Sequence, residues 1–267
     1  MPATERIQAY LRASARRRYE AVPAPPFTAY LHPSDPLEYC SYAIPDGPVQ
    51  GEVTGPLARL RSLFRERGRR TRFEFLERTA PRLASLLEEA GFLLELRAPL
   101  LTCSAAAVTA VPVEGLEIVP VTAGSPPALA RAFLTVRDRA FGARTEQPSE
   151  QAARAWLRGR ARAGAELLGF LDGEPVAVAS ATPPEHGLSE LAGVGVLEHA
   201  RARGIGGAIT AAAARAAAVA GAELVFLSPG SDGARSVYER VGFRPQATML
   251  HYFDPERAAS IPAREGG

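Results

Sequence analysis

Apolar positions recur along this chain at helical spacing in some stretches and at strand spacing in others, and the alternation predicts the order of elements. Residues 4–20 read as an arginine-rich helix stopped by the prolines between Pro23 and Pro26. Residues 27–31 and 38–44 read as strands separated by His-Pro-Ser-Asp-Pro. Leu57, Leu60, Leu63 and Phe64 fall on one face of a helix over residues 57–67. A strand at 72–76 follows, then a helix at 81–90 ended by Gly91, then an extended run at 93–102. Residues 104–115 are small and proline-bearing and read as a linker.

The pattern then starts again. A strand at 116–121 leads to a helix at 126–141 and a second helix at 149–163, opened by Ser149 and Glu150. Residues 166–171 and 175–182 form a hairpin around Asp172-Gly173. A strand at 190–196, a long alanine-rich helix at 206–220, a strand at 224–227, a helix at 233–241 and a strand at 246–253 complete the order. The two halves end alike: strand, helix, Gly91-Phe92, strand in one, and strand, helix, Gly242-Phe243, strand in the other. The pattern is short, and duplication is preferred to coincidence.

The 31 basic residues are all arginine, and asparagine is absent as well as lysine, as a GC-rich genome would produce. Without lysine a P-loop has no Gly-Lys-Ser/Thr, so that class of nucleotide hydrolase is excluded. Twenty-nine acidic residues balance the arginines to a net charge of +2, which gives no field for nucleic acid. Cys40 and Cys103 lie in neither metal nor redox spacing, so no metal is expected. No apolar run approaches a membrane span, and residues 1–22 lack the apolar core of a signal peptide. A cytoplasmic, bacterial protein without membrane or nucleic-acid partners is the expectation.

The chemistry concentrates in Val194-Gly-Val-Leu-Glu-His-Ala-Arg-Ala-Arg-Gly-Ile-Gly-Gly-Ala-Ile209. A strand runs through a loop into glycines that open a helix. Gly204, Gly206 and Gly207 allow close backbone approach, and their N–H groups point out of the positive helix end, where a phosphate or pyrophosphate is the expected guest. Arg201 and Arg203 add charge at the same rim. A dinucleotide-binding fold would require glycine where Ile209 stands, and an acid at the end of the next strand, whereas Glu223 opens it.

On these residues the chain resembles the GNAT superfamily of N-acetyltransferases. Their acetyl-CoA signature, Arg/Gln-x-x-Gly-x-Gly/Ala after a strand ending in valine, is matched by Arg201, Gly204, Gly206 and Val196. A second family feature, Ala-x-x-x-Tyr-x-x-x-Gly-Phe, is matched by Ala234, Tyr238, Gly242 and Phe243. The resemblance implies an α/β (α+β) GNAT fold, a mixed central sheet flanked by helices, with acetyl-CoA as acyl donor. It implies a donor site formed by Val194, Gly195 and Val196, by Arg201, Ala202, Arg203, Gly204, Ile205, Gly206 and Gly207, and by Ser231 and Ala234. Tyr238 stands where the family keeps the tyrosine that protonates the CoA sulfur; read from the residues alone it is also an apolar-face aromatic of an amphipathic helix.

Glu190, on the strand ahead of Arg201, stands where some GNAT members place a base glutamate. Alternation puts it on a face with Ala192, Val194 and Val196, where burial would raise its pKa; the other reading is a strand-end glutamate facing water. His186 and His199 are alternatives. Ser231 replaces the asparagine often found there and still offers a hydroxyl. Arg137, Asp138, Arg144 and Glu146 lie in or beside the region where the family binds its acceptor. Cys103 has no histidine nearby and reads as structural rather than as an acetyl carrier.

The N-terminal half resembles the latter part of a GNAT domain without its chemistry. Leu87 takes the place corresponding to Tyr238, and Arg65-Glu-Arg-Gly68 continues as Arg69-Arg70. The expected organisation is a degenerate GNAT-like domain at 1–110, a catalytic domain at 111–257 and a tail at 258–267. The expected activity is acetyl transfer from acetyl-CoA to a primary amine of a small molecule or peptide, by direct attack in a ternary complex, in a monomer or homodimer. The alternative is a noncatalytic acyl-CoA sensor or partner-binding module on the same scaffold.

Overall fold

The computed structural model describes residues 2–32, 41–109, 112–142, 147–159 and 164–255. In chain order the elements are α1 (Ala3–Arg18), β1 (Glu20–Ala24), β2 (Phe27–Leu31), β3 (Tyr42–Pro45), α2 (Thr54–Glu66), β4 (Arg72–Leu76), α3 (Leu83–Glu89) and β5 (Leu93–Ser104). They continue as β6 (Leu116–Pro120), α4 (Pro127–Ala140), α5 (Glu150–Arg158), β7 (Ala165–Leu171), β8 (Glu174–Ala181) and β9 (Leu188–Val196). The last are α6 (Ile205–Val219), β10 (Leu224–Leu227), α7 (Asp232–Val241) and β11 (Arg244–Phe253). Contacts divide the chain into one unit running to Leu100 and resuming at Gln246, and a second unit spanning Leu101–Pro245.

In the first unit β1, β2, β3, β4 and β11 are neighbours in that order. Only the β3/β4 step is parallel. All five residues of β2 are buried, because both faces of the sheet are covered. Phe27, Ala29 and Leu31 join Leu57, Leu60 and Phe64 of α2 and Leu83 and Leu87 of α3 in one core. Tyr30 and Ile44 face the other way and meet Ala15 of α1. β1 is an element the sequence reading missed. Its Pro23 reads as a helix stop, yet on an edge strand a missing N–H costs no ladder bond to a second neighbour. The predicted strand over 38–44 is observed from Tyr42; its first residues lie outside the described ones.

In the second unit the order is the end of β5, then β10, β9, β8, β7 and β6, with β10/β9 the parallel step. One face carries α6 and α7, packed through Ile205, Ile209, Ala213, Tyr238 and Val241 against Leu167, Ala177, Ala179 and Leu191. The other face carries α4 and α5, packed through Phe133, Leu134, Ala153 and Leu157 against Leu168 and Val178. The hairpin turns at Asp172 and Gly173, both with positive φ (50° and 85°), the geometry of a two-residue turn matched to strand twist. Ser149 caps α5 as expected, its hydroxyl accepting the Ala152 N–H at 3.1 Å. The helix stops at Arg158, closed by Gly159, short of the predicted end at 163; residues 160–163 lie outside the described ones.

The two Gly-Phe repeats carry an exchange. Gly91 and Gly242 both adopt the left-handed conformation (φ 86° and 117°) at the end of a helix, and a strand follows each. The strand after Gly91-Phe92 ends on β10 of the second unit, with Leu101 opposite Leu227 and Ser104 opposite Leu224. The strand after Gly242-Phe243 pairs with β4 of the first unit, with Met249 opposite Leu76 and Phe253 opposite Arg72. Each motif thus completes its partner's ladder instead of its own.

Candidate active site

β9 and β10 run together for only three residue pairs, ending at Glu190 opposite Phe226. Beyond Glu190 the β9 backbone leaves its neighbour, and polar main-chain groups on that edge become available to a guest. Three residues further on, β9 bulges. Ala192 is paired with Ser180 and Gly195 with Val178, so Gly193 and Val194 together stand opposite the single residue Ala179. Gly193 supplies the φ of +60° that the bulge requires. The bulge corrects the alternation expected for this strand. Glu190 and Ala192 share their face with Gly195, whereas Val194 and Val196 turn to the α6 side and pack on its core. Gly195 itself lies beneath the end of α4. A Cβ there would stand 2.8 Å from the Ala140 Cβ and 3.2 Å from the Phe141 ring, so no side chain fits.

After β9 the chain makes a short turn at Glu198–Ala200, and the Arg201 guanidinium folds back to donate from Nε to the Val196 carbonyl at 3.1 Å. Ala202 and Gly204 both take left-handed backbone (φ 62° and 83°) before α6 begins. Its first bond runs from the Ala208 N–H to the Gly204 carbonyl. Among the described residues no partner is found for the backbone N–H groups from Ala202 through Gly207. Successive unpaired amides in this conformation, at the positive end of a 15-residue helix, form an anion cradle. Packing does not require glycine at 206 and 207. Added Cβ atoms would meet Val237 at 3.7 Å and Val241 at 3.5 Å, ordinary contact distances.

α7 supplies the other wall. The Ser231 hydroxyl caps it, accepting the Ala234 N–H at 3.2 Å, which is the use found for the residue that replaces asparagine. Tyr238, buried to 8% exposure, packs against Phe243 with ring centroids 6.1 Å apart. Burial pushes its phenol above the ordinary value, which keeps it protonated. Among the described residues its hydroxyl has no hydrogen-bond partner.

A cleft of about 780 Å³ joins these parts. It is lined by Val194, Gly195 and Val196, by Arg201, Ala202, Gly204, Ile205, Gly206 and Gly207, and by Ser231, Ala234 and Tyr238. Arg203 is exposed and does not line it, and Glu190 lies at the fork of the strands outside its wall. His199 is on the surface beside Glu174 at 3.3 Å, and His186 is exposed in a turn. Cys103 does not line the cleft, and burial pushes its thiol up, against a nucleophilic role. Asp138 is buried and accepts two hydrogen bonds from Arg137, while Arg144 and Glu146 lie outside the described residues. Thr109, Phe141 and Arg240 also line the cleft and were not read from the sequence. Phe141 had a signal, an aromatic at the predicted end of a helix; Thr109 had none, because its place depends on its N–H bonding to the Val241 carbonyl. No cluster of metal-ligating residues and no helix long and apolar enough to cross a membrane occurs among the described residues.

The donor set fits an acyl-CoA: amides for a pyrophosphate at one end, an apolar channel beside an open strand edge, and a phenol at the other end. Residues 131–243 match the family model described as the acetyltransferase (GNAT) family. The chain carries a GNAT-family domain. It is similar to a GCN5-related N-acetyltransferase from Kribbella flavida, at 29% identity and TM-score 0.80, over 96% of this chain and 97% of that one. A GCN5-related N-acetyltransferase from Sphaerobacter thermophilus shares the fold at 16% identity and TM-score 0.63, over 85% and 76% of the two chains. So does a tandem GNAT protein from the clavulanic acid biosynthesis pathway, at 16% identity and TM-score 0.60, over 88% and 79%. No curated protein sequence matches the chain. In this GNAT domain the bulge at Gly193, the amide cradle and Tyr238 all fall between residues 131 and 243.

Proposed function

We propose that the chain is an acetyl-CoA-dependent N-acetyltransferase that acts on a primary amine by direct attack within a ternary complex. The observation that carries this reading is the run of unpartnered amides from Ala202 through Gly207, opening into the cleft that also holds Tyr238. Acetyl-CoA supplies an acyl group activated as a thioester. The cradle holds the pyrophosphate by main-chain donors, and Arg201, already anchored on Val196, adds charge at the rim. The free edge of β9 around Val194 to Val196 orients the pantetheine and presents N–H groups where negative charge develops. Tyr238 gives its proton to the departing sulfur, a role supported by its protonated, unpartnered hydroxyl in the cleft. To Glu190, the last paired residue before the strands part, we assign the proton of the attacking amine.

The N-terminal unit is read as a degenerate, noncatalytic GNAT-like half. Leu87, at the position corresponding to Tyr238, is fully buried in the core, and α2 ends in arginines where a glycine-opened helix would be needed.

Calorimetry of acetyl-CoA binding, wild type beside Gly204→Glu, tests the donor site. The substitution introduces a side chain and a negative charge into the cradle, at a residue with φ of +83°. Micromolar binding in the wild type and none in the folded variant is the expected result. Equal binding by both would remove the cradle, and no binding by either would remove acetyl-CoA as donor. Binding without CoA release across a panel of amines would replace catalysis by a noncatalytic acyl-CoA module.

A further inference from the structure

A second polar pair lies on the same sheet face as Glu190, outside the donor cleft. Glu166, the second residue of β7, stands opposite Ser180 of β8, and Ser180 stands opposite Ala192 of β9. Paired residues of an antiparallel ladder point to one face, so Glu166, Ser180 and Ala192 form a row across three strands that ends at the bulge. Further along, this face is sealed by α4 and α5 over Leu168 and Val178. At the bulge it is open: Ala192 and Gly193 are exposed and Ser180 is half-buried. Glu166, one strand further in, is 7% exposed. The Ser180 hydroxyl donates its hydrogen bond to Glu166 Oε2. The same Oγ is the nearest atom, at 3.8 Å, to a Cβ built on Gly193.

These facts fix the polarity of a hydroxyl at the opening. A serine has one proton and two acceptor sites. With the proton committed to a buried carboxylate, the Oγ meets any molecule at the bulge as an acceptor, strengthened by the charge behind it. Such an atom discriminates for an N–H donor and against a carbonyl or carboxylate.

We propose that Ser180 Oγ is the contact that receives the N–H of the acceptor amine, and that Glu166 is a positioning residue that holds Ser180 in its acceptor orientation. The inference rests on the acetyl-transfer reading and adds to it the face by which the acceptor arrives. That is the Ser180 face of the bulge, opposite the α6 side to which Val194 and Val196 turn. It also gives the acceptor's chemical character, an amine or ammonium without an anionic group next to the reacting nitrogen.

The test follows CoA release from acetyl-CoA with n-butylamine, 1,4-diaminobutane, glycinamide and glycine as acceptors, and titrates acetyl-CoA by calorimetry alongside. Ser180→Ala is expected to raise KM for the amine about tenfold, the loss of one charge-assisted hydrogen bond, with kcat and acetyl-CoA affinity kept within about twofold. Ser180→Thr keeps the hydroxyl and should stay near wild type. Glu166→Gln removes the charge behind the serine and sets an amide N–H in competition for its Oγ, and should shift KM in the direction of Ser180→Ala. Glycine, with its carboxylate beside the amine, should be a poorer acceptor than glycinamide. An unchanged KM in Ser180→Ala, or equal damage by alanine and threonine, overturns the contact. A defect in Glu166→Gln confined to acetyl-CoA binding or stability overturns its positioning role. Absence of CoA release with all four acceptors removes the acetyl-transfer reading, and the contact with it, whereas release indifferent to Ser180 removes the contact alone.

Discussion

Tyr238 shows what one side chain inherits from its surroundings. It comes from the apolar face of α7, so burial against Phe243 and the α6 core raises its pKa, and the same burial leaves its hydroxyl at the cleft. If it is the acid of the reaction, Tyr238→Phe should lower kcat by about 100-fold or more, with acetyl-CoA affinity nearly kept, since general acids typically contribute 10²–10⁴-fold. Unchanged turnover would exclude it. Because its folded pKa is raised, the neutral phenol contributes stability below the ordinary tyrosine value of about 10, and this is lost as pH rises through the folded value. The alkaline limb of kcat should accordingly fall above pH 10, measured with an acceptor saturating throughout. Tyr238, Gly204, Gly206 and Ser231 were legible because their spacing along one helix or one loop is a local matter. Ser180 and Glu166 were not, because fourteen residues of hairpin separate them and only the β7/β8 register brings them together.

At the scale of elements, α6 sets stability against binding. Alanine is the better helix former, and room for a Cβ exists at 206 and 207. Gly206→Ala and Gly207→Ala should therefore raise unfolding stability by about 0.5 kcal/mol in thermal or urea unfolding, while weakening acetyl-CoA binding at least severalfold. Affinity kept in both variants would show that the glycines serve no ligand. On α7, Ser231→Ala removes a cap and should cost about 1 kcal/mol in urea unfolding. The order of strands and helices was readable from periodicity over most of the chain. The bulge in β9 was not: Gly193 in a strand is a hint of one, but only the pairing of Ala192 with Ser180 and Gly195 with Val178 decides its place. That one inserted residue moved Val194 and Val196 to the face opposite Glu190, against strict alternation.

For the whole molecule the exchanged strands matter most. β11 ends the chain's second motif, yet Leu250 and Tyr252 are buried in the core of the first unit with Phe73 and Phe75. Leu250→Ala should destabilise by about 2–5 kcal/mol, as for a fully buried leucine, with the loss appearing in unfolding of the N-terminal unit by hydrogen exchange. Residues 1–100 expressed alone should fail to fold cooperatively unless a peptide covering 246–253 is added, because β4 then lacks its neighbour; cooperative folding without it would show the exchange to be dispensable. The sequence by itself determined the element order apart from β1, the Gly-Phe repeat, the glycine-opened helix and the place of the tyrosine on its helix, because each depends on residues close together in the chain. Which strand completes which ladder, which face Glu190 looks to, and which serine meets Glu166 were decided by tertiary structure. Strand pairing joins backbone groups that carry no side-chain label, so a repeated motif fits either of two partners, and only the packing of the whole selects one.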